Sequence, residues 1–379
     1  MPAPTRLLIV GTGAPGGIGR VEQLVAEAAA DPVTPPAQSN IALWRRQHPD
    51  YLRKGAIEQL ATVTAEPVGE GGVYVRELLR AVRAVKPDYV MYMHVNLARP
   101  APWLRALGHP ARFGVWTYGV EVWDELSRLH RHALQSAEVV MTISRDSVRR
   151  TVDTQGVPAS RVRLVPLSLP EAMFKADDHE QAPEAGRLLT VSRLAQTERG
   201  KNIEPLIDAM PAVRASHPGA HLVIVGDGDD RERLEDIVRS KGLTEVVSFP
   251  GRLSDEELRD EYRRADLFVL PSEKEGFGLV FVEAMLTATP VVGFAKGGPL
   301  DIVRDGLDGR LIDDLSQLPG AIAALLDAPD ALRRMGVQAR DHARSSFGPT
   351  RFRTELATCL GRQPDQRNGK LTLDRTGPG

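Results

Sequence analysis

The 379-residue sequence holds one cysteine, Cys359. A single thiol excludes an intrachain disulfide and a cysteine-based zinc site, and it suits a reducing compartment. No apolar run approaches the roughly 20 residues that cross a bilayer as a helix. The opening stretch, Met1 to Val10, lacks the long apolar core of a secretion signal and reads as a first strand. A cytoplasmic location is the expectation. A dominant charge is missing too: the total is −2 at pH 7, which argues against a dedicated nucleic-acid binder. There is no internal repeat at a solenoid period. What is present is 42% hydrophobic and 26% charged residues, ordinary for a globular chain long enough for two domains.

The charge is unevenly spread. Residues 1–168 carry 20 Lys+Arg against 15 Asp+Glu, a net of +5, leaving −7 for the remainder. Arg45, Arg46, Arg53 and Lys54 lie near Trp44 and Tyr51. Basic and aromatic residues together suit a surface facing anionic lipid or an anionic acceptor, so a peripheral membrane contact through this half is one reading. An ordinary solvated face is the other.

Short apolar or β-branched runs alternate with helical patterns. Leu7–Val10, Tyr89–His94, Phe113–Thr117, Val139–Ile143 and Val162–Val165 read as strands. Val21–Ala30, Val73–Val85 and Arg145–Thr154 read as helices between them. The series restarts with strands Leu188–Val191, His221–Val225, Val246–Phe249 and Leu267–Leu270. Helices Ile203–Val213, Asp230–Lys241 and Asp255–Ala265 separate these. Such alternation builds parallel sheets covered on both faces. Two series imply two Rossmann-like, doubly wound domains facing across a cleft. The join falls at Ser168–Gly186, which is acidic, Pro-containing and aperiodic. This gives a first domain at 1–168, a linker at 169–187 and a second domain at 188–345. The tail 362–379, from Arg362, is polar and Gly/Pro-rich and is expected to be disordered.

Several motifs fall at strand ends. Gly11-Thr12-Gly13-Ala14-Pro15-Gly16-Gly17 follows the first strand and matches G-x-G-x-x-G, a dinucleotide fingerprint. That fingerprint needs a second strand ending in an acid about 20 residues on, and Asp31–Pro36 is turn-like instead. The loop serves as a tight turn, or Gly16 and Gly17 bring amides to a diphosphate or an acceptor. Ser192 and Arg193 end the strand that opens the second domain, and Lys201 follows eight residues after Arg193. Two cations leaving one strand end can clamp a diphosphate. A surface ion-pair cluster with Glu198 and Arg199 is the plain alternative. Asp227-Gly228-Asp229, after Gly226, imitates a metal motif but sits where a turn and helix cap are needed. Arg252 and Leu253 follow a Pro-Gly strand end that suits either a plain turn or a loop along a base edge.

The sharpest pair is Glu275 and Glu283. Glu275 leads a loop, Gly276-Phe277-Gly278, at the end of strand Leu267–Leu270. Glu283 lies in the following helix among Val280, Phe281, Val282, Ala284 and Met285. A carboxylate buried there needs partners, and two ribose hydroxyls would supply them. The glycines let amides approach a ligand, and a helix start behind such a loop is a phosphate site.

From Ser192-Arg193-Leu194 through Lys201, Gly226-Asp227-Gly228, Phe249 to Leu253, the Glu275-to-Glu283 motif and Gly297-Gly298, the order and spacing resemble the second half of family 4 retaining glycosyltransferases. That family has the GT-B fold. The resemblance implies sugar transfer with retention from a UDP- or GDP-linked donor to a hydroxyl-bearing acceptor, without a metal or other cofactor. It assigns Arg193 and Lys201 to the diphosphate, Glu275 to the sugar and Glu283 to the ribose. It gives sugar and phosphate contacts to the amides of Phe277, Gly278, Leu279 and Val280. It also implies a last helix within 346–361 that crosses back to the first domain. The first half matches more weakly, through Gly16 to Arg20 and Tyr118-Gly119-Val120-Glu121. Tyr118 stands where many relatives have His, and near neutral pH a tyrosine is a poor base. His94, Tyr118 and Glu121 are the acceptor-side candidates, with His94 alternatively structural. Asp301 replaces the usual Glu after the paired glycines and is one methylene shorter. A nicotinamide-dependent oxidoreductase and a non-catalytic nucleotide-sugar binder are the competing readings.

Overall fold

Apolar residues alternate faces along the first strand: Leu7 and Ile9 join one core, Leu8 and Val10 the other. A strand buried on both faces belongs in the middle of a helix-covered sheet. The computed structural model describes residues 6–12, 17–30, 40–45, 72–106, 112–174 and 183–361. Readings that fall on Gly13–Gly16, Asp31–Pro36, Arg46, Tyr51, Arg53, Lys54 and the tail from Arg362 lie outside these residues, as do the side chains of Trp44 and Arg45.

The first domain runs β1 (Arg6–Gly11), α1 (Gly17–Ala30), β2 (Asn40–Arg45), α2 (Gly72–Val85), β3 (Tyr89–Tyr92), α3 (Val95–Ala98), α4 (Ala101–Ala106), β4 (Arg112–Thr117), α5 (Arg128–Ser136), β5 (Val139–Thr142), α6 (Arg145–Asp153) and β6 (Val162–Leu164). The second runs β7 (Arg187–Val191), α7 (Ile203–Ser216), β8 (His221–Val225), α8 (Arg231–Ser240), β9 (Val247–Gly251), α9 (Asp255–Arg264), β10 (Leu267–Leu270), α10 (Leu279–Leu286), β11 (Val291–Phe294), α11 (Pro299–Ile302), β12 (Gly309–Ile312), α12 (Leu318–Leu326), α13 (Pro329–Ser346) and α14 (Pro349–Cys359).

Each domain builds a parallel six-stranded sheet, ordered β2-β1-β3-β4-β5-β6 and β12-β11-β10-β7-β8-β9. Pro250, which has no amide to donate, is tolerated in β9 because that strand is an edge. Two corrections to the sequence reading bear on the site. A strand, β2, does follow α1 and pairs with β1 from Arg6↔Asn40 to Gly11↔Arg45, but it ends in arginine, not in an acid. Strand β3 stops at Tyr92, so His94 lies beyond it and caps α3.

Helix α14 returns to the first sheet. Phe352 packs on Trp116 with ring centroids 6.1 Å apart, and α14 lies against α1. Phe352, Leu356 and Leu360 thereby join a core that is continuous with the second domain. Burying one such side chain contributes about 1.5–3 kcal/mol. The two chain crossings touch: Ser168 Oγ donates to the Phe347 carbonyl at 2.8 Å, and Arg351 donates to the Pro166 carbonyl at 2.7 Å.

Candidate active site

The second sheet reverses its winding between β7 and β10, and open α/β sheets bind ligands outside the strand carboxyl ends at such a switch point. The exits of these two strands are sewn together. Asn202 Nδ2 donates to the Pro271 carbonyl at 2.8 Å, and the Glu273 amide donates to the Gly200 carbonyl at 3.0 Å. Lys201 and Glu275 therefore meet, with Nζ 2.5 Å from Oε2. Arg193 leaves the same strand but is exposed and paired with Glu198. The ion-pair cluster offered as the alternative for this loop is also present. Arg233 and Arg199 grip Asp230 and hold its carboxyl down to about 2, the Arg233 bonds contributing most.

Gly276 faces the other domain. A methyl group there would lie 2.1 Å from the Tyr118 carbonyl oxygen, so only glycine permits the approach. Gly278 precedes α10, whose first turn carries the half-buried Leu279 and Val280. The amides that open a helix lack intrahelical partners and carry partial positive charge. Phe277 turns its side chain onto Phe347, so the loop offers the cleft its backbone. Ser192 and Gly226 tie the neighbouring exits, through Ser192 N to the Val225 carbonyl (3.0 Å) and Gly226 N to the Gly251 carbonyl (2.9 Å). Arg252 is exposed and Leu253 half-buried just past β9. Asp227 accepts from the Gly228 amide and Asp229 from the Gln196 amide, so both carboxylates serve the turn.

Glu283 is buried, as its apolar neighbours in the sequence predict, but protein groups are its partners. Oε1 meets Arg20 at 3.0 Å and Oε2 accepts from the Tyr262 hydroxyl at 2.9 Å. Burial pushes its carboxyl above the ordinary range, while Arg20 and Tyr262 pull it back. Arg20 comes from α1 of the first domain and also reaches Asp255 at 3.0 Å. A second bond crosses the cleft at Asp301, the shorter acid that replaces the usual Glu. Its Oδ2 accepts from the Arg145 amide at the start of α6, at 2.6 Å.

On the first domain, Gly17 opens α1. Tyr118 follows β4, and its amide donates to Glu121 Oε1 at 2.5 Å. The Tyr118 hydroxyl is buried without a hydrogen-bond partner, and its ring stacks on His94 at 6.2 Å. Burial, then Glu22 and Glu121, raise Tyr118 well above the ordinary phenol range, so it is a hydroxyl donor and not a base. His94 Nδ1 accepts from the Asn96 amide at 3.1 Å. Burial, helped by His130, lowers this imidazole to about 4, so it is neutral with its proton on Nε2. Glu121 is itself raised by burial.

Sequence reasoning missed Glu22. This wholly buried carboxylate accepts from the Thr12 amide at 2.5 Å and the Thr12 hydroxyl at 2.7 Å. A methyl on Gly11 would lie 3.0 Å from it. The glycine of the fingerprint thus makes room for an anion of the protein itself. The available signal was an acid set between Val21 and Leu24 on a helix that otherwise faces the core.

The description "Glycosyl transferases group 1" matches residues 174–342. The D-inositol 3-phosphate glycosyltransferase of Acidothermus cellulolyticus is 32% identical over 209 residues, 51% of this chain and 46% of that protein. A glycogen synthase of Mycobacterium tuberculosis is 37% identical over 162 residues, 42% of this chain and 38% of that protein. The chain thus spans less than half the length of these two relatives. A GDP-mannose-dependent alpha-(1-6)-phosphatidylinositol monomannoside mannosyltransferase of Mycolicibacterium smegmatis is 30% identical over 272 residues, 66% of this chain and 70% of that protein. The crystal structure of Anabaena Alr3699/HepE in complex with UDP superposes with a TM-score of 0.74 at 18% identity, covering 94% of this chain and 99% of that one. The fold is GT-B, and the chain belongs to the group 1 family of glycosyltransferases.

Proposed function

We propose that this chain transfers a sugar from a UDP- or GDP-linked donor to an acceptor hydroxyl, with retention at the anomeric carbon and without a metal. The observation that carries the reading is the Lys201–Glu275 pair at the switch point, next to Gly276, which lies close against the Tyr118 carbonyl of the opposite domain. Relatives and structural neighbours whose names specify a donor use GDP-mannose or hold UDP, which supports both nucleotides as candidates.

Each group assigned to the donor is paired with an opposite charge: Arg193 with Glu198, Lys201 with Glu275 and Glu283 with Arg20. Donor binding exchanges these partners. Arg193, Lys201 and the α10 amides take the diphosphate, Glu275 takes sugar hydroxyls, and Glu283 releases Arg20 for the ribose. The bond from the anomeric carbon to the phosphate oxygen breaks as the acceptor oxygen bonds to the same face. The acceptor proton passes to the departing phosphate oxygen. Two cations and a helix start supply the positive charge this leaving group needs, which supports chemistry without a metal. The Tyr118 hydroxyl and His94 Nε2–H are donors for sugar or acceptor oxygens.

The dinucleotide reading loses support. The Thr12 amide, where a pyrophosphate would dock, already holds the Glu22 carboxylate, which would repel phosphate, and β2 ends without an acid.

The test is a calorimetric panel of UDP- and GDP-sugars, followed by NMR of the product's anomeric configuration with and without chelator. Binding of none of them, an inverted product, or loss of turnover with chelator would each overturn part of the proposal.

A further inference from the structure

One contact between the domains is made by an aromatic ring. Trp123 lies between β4 and α5 and is held firmly in the first domain. Its indole Nε1–H donates to Ser147 Oγ at 3.4 Å, and the Ser144 hydroxyl donates to the same oxygen at 2.8 Å. The Arg150 guanidinium lies over the ring, 5.0 Å from its centroid, and donates to the Trp123 carbonyl at 3.4 Å. The edge of the ring reaches the second domain. A methyl group on Gly297 would lie 3.3 Å from both Cζ2 and Cη2 of the indole, and 2.5 Å from the Glu275 carbonyl oxygen. Gly297 has φ +66°, open to glycine, and the Gly298 amide donates to that same carbonyl at 2.8 Å. A methyl group on Gly298 would lie 2.1 Å from the Phe277 carbonyl oxygen. The Gly297–Gly298 turn is thus wedged between the indole of the first domain and the Glu275–Phe277 backbone of its own.

We propose that Trp123 is a positioning residue for Glu275, acting across the cleft through the Gly297–Gly298 turn. This role exists only on the transferase reading, in which Glu275 takes sugar hydroxyls. Glu275 stands on a loop that continues through Gly276 and Gly278. Glycines leave a backbone many conformations, so the loop's own sequence does not fix where the carboxylate points. The Glu275 carbonyl is fixed from outside, by the Gly298 amide and, beyond it, by the indole. Lys201 adds a bond to the carboxylate but none to the backbone beneath it. A group that recognises a ligand works only when held to within about 0.5 Å, and that tolerance falls here on the turn and the ring that supports it. The groups assigned to the nucleotide hang from other segments: Arg193 and Lys201 follow β7, and Glu283 lies within α10. The first domain therefore sets how Glu275 meets the sugar while leaving the nucleotide contacts alone.

The experiment is calorimetry of the full chain with UDP and GDP and with their sugar derivatives, alongside turnover and Tm. The ratio of the dissociation constants of nucleotide and nucleotide sugar isolates the sugar. In Trp123→Ala that ratio should move against the sugar derivative by about tenfold, while bare nucleotide binding changes by less than about twofold. The same variant should lose about ten- to a hundredfold in kcat, the cost of misplacing a reacting group by about 1 Å. Trp123→Phe keeps a ring against Gly297 and should recover most of both. Ser147→Ala frees the indole without deleting it and should give the same split at about two- to fivefold, which keeps the result readable if Trp123→Ala does not fold. Equal losses for nucleotide and nucleotide sugar mean a structural role and overturn the proposal. So does a Trp123→Phe variant that recovers nothing. If the wild type binds neither nucleotides nor their derivatives, the transferase reading fails and takes this role with it. If it binds them and the ratio and kcat hold in every variant, Trp123 fails alone.

Discussion

Arg20→Ala isolates one of the bonds that hold the two domains together. The substitution leaves Glu283, whose side chain is 2% exposed, with the Tyr262 hydroxyl alone. Removing one partner of a fully buried pair costs about 3–5 kcal/mol. Arg20 is 38% exposed, so solvent screens its half of the pair and the expected loss is ~1–2 kcal/mol. For a unit of this size that is a fall in Tm of about 2–8 °C. Asp255, 90% exposed, is screened almost completely, so Asp255→Asn should shift nothing. The pH dependence fixes the cause. Arg20 attracts Glu283 only while the carboxyl is ionised. Burial raises that carboxyl in the folded state, so Glu283 costs stability as pH rises through its folded value, and Arg20 offsets this cost. The penalty of Arg20→Ala should therefore be full above that value and shrink as pH falls through it. Thermal melts of wild type and variant across an acid-to-neutral series measure the difference directly. A penalty that is constant with pH, or that grows toward acid, refutes the argument.

Glu275→Ala should lower turnover by more than about tenfold, since it removes both the sugar contact and the partner of Lys201, while circular dichroism stays unchanged. Tyr118→Phe should leave Tm level or slightly higher, because a buried hydroxyl without a partner is removed, and should cut kcat/KM by about ten- to a hundredfold. Retained kcat/KM would take that hydroxyl out of the reaction. Gly276→Ala should prop the cleft open against the Tyr118 carbonyl, so that turnover collapses while calorimetric nucleotide affinity survives. Loss of both together would show that the loop itself had misfolded.

The meeting of two strand exits in the second domain was legible because its information is local. Arg193, Lys201, Glu275 and the glycine loop sit at strand exits within one alternating series, and chain order alone brings β7 and β10 together. Glu283 was legible as buried, since its neighbours are apolar, but its true partners lie 263 residues away in Arg20 and on a different helix in Tyr262. Spacing says nothing about such contacts. Asp301 was read as a shortened replacement, but its partner, the Arg145 amide of the other domain, was out of reach of spacing for the same reason. Strand β2 went unnoticed because Asn40–Arg45 is short, follows a proline-rich stretch of sequence and ends at Arg45, which drew a surface reading. Glu22 went unnoticed because a carboxylate facing a core has no periodic signature of its own.

The contact between Ser168 and Phe347 makes the connection between the domains a double-stranded hinge. The outgoing and returning chains pass side by side, pinned by that hydroxyl and by the Arg351 guanidinium on Pro166 and Leu167. Two parallel straps resist twist and sideways slip but yield to bending about the line that joins them. A swing of that kind would part Arg20 from Glu283 and Arg145 from Asp301. The same pinning sets the register of the two halves through protein contacts alone.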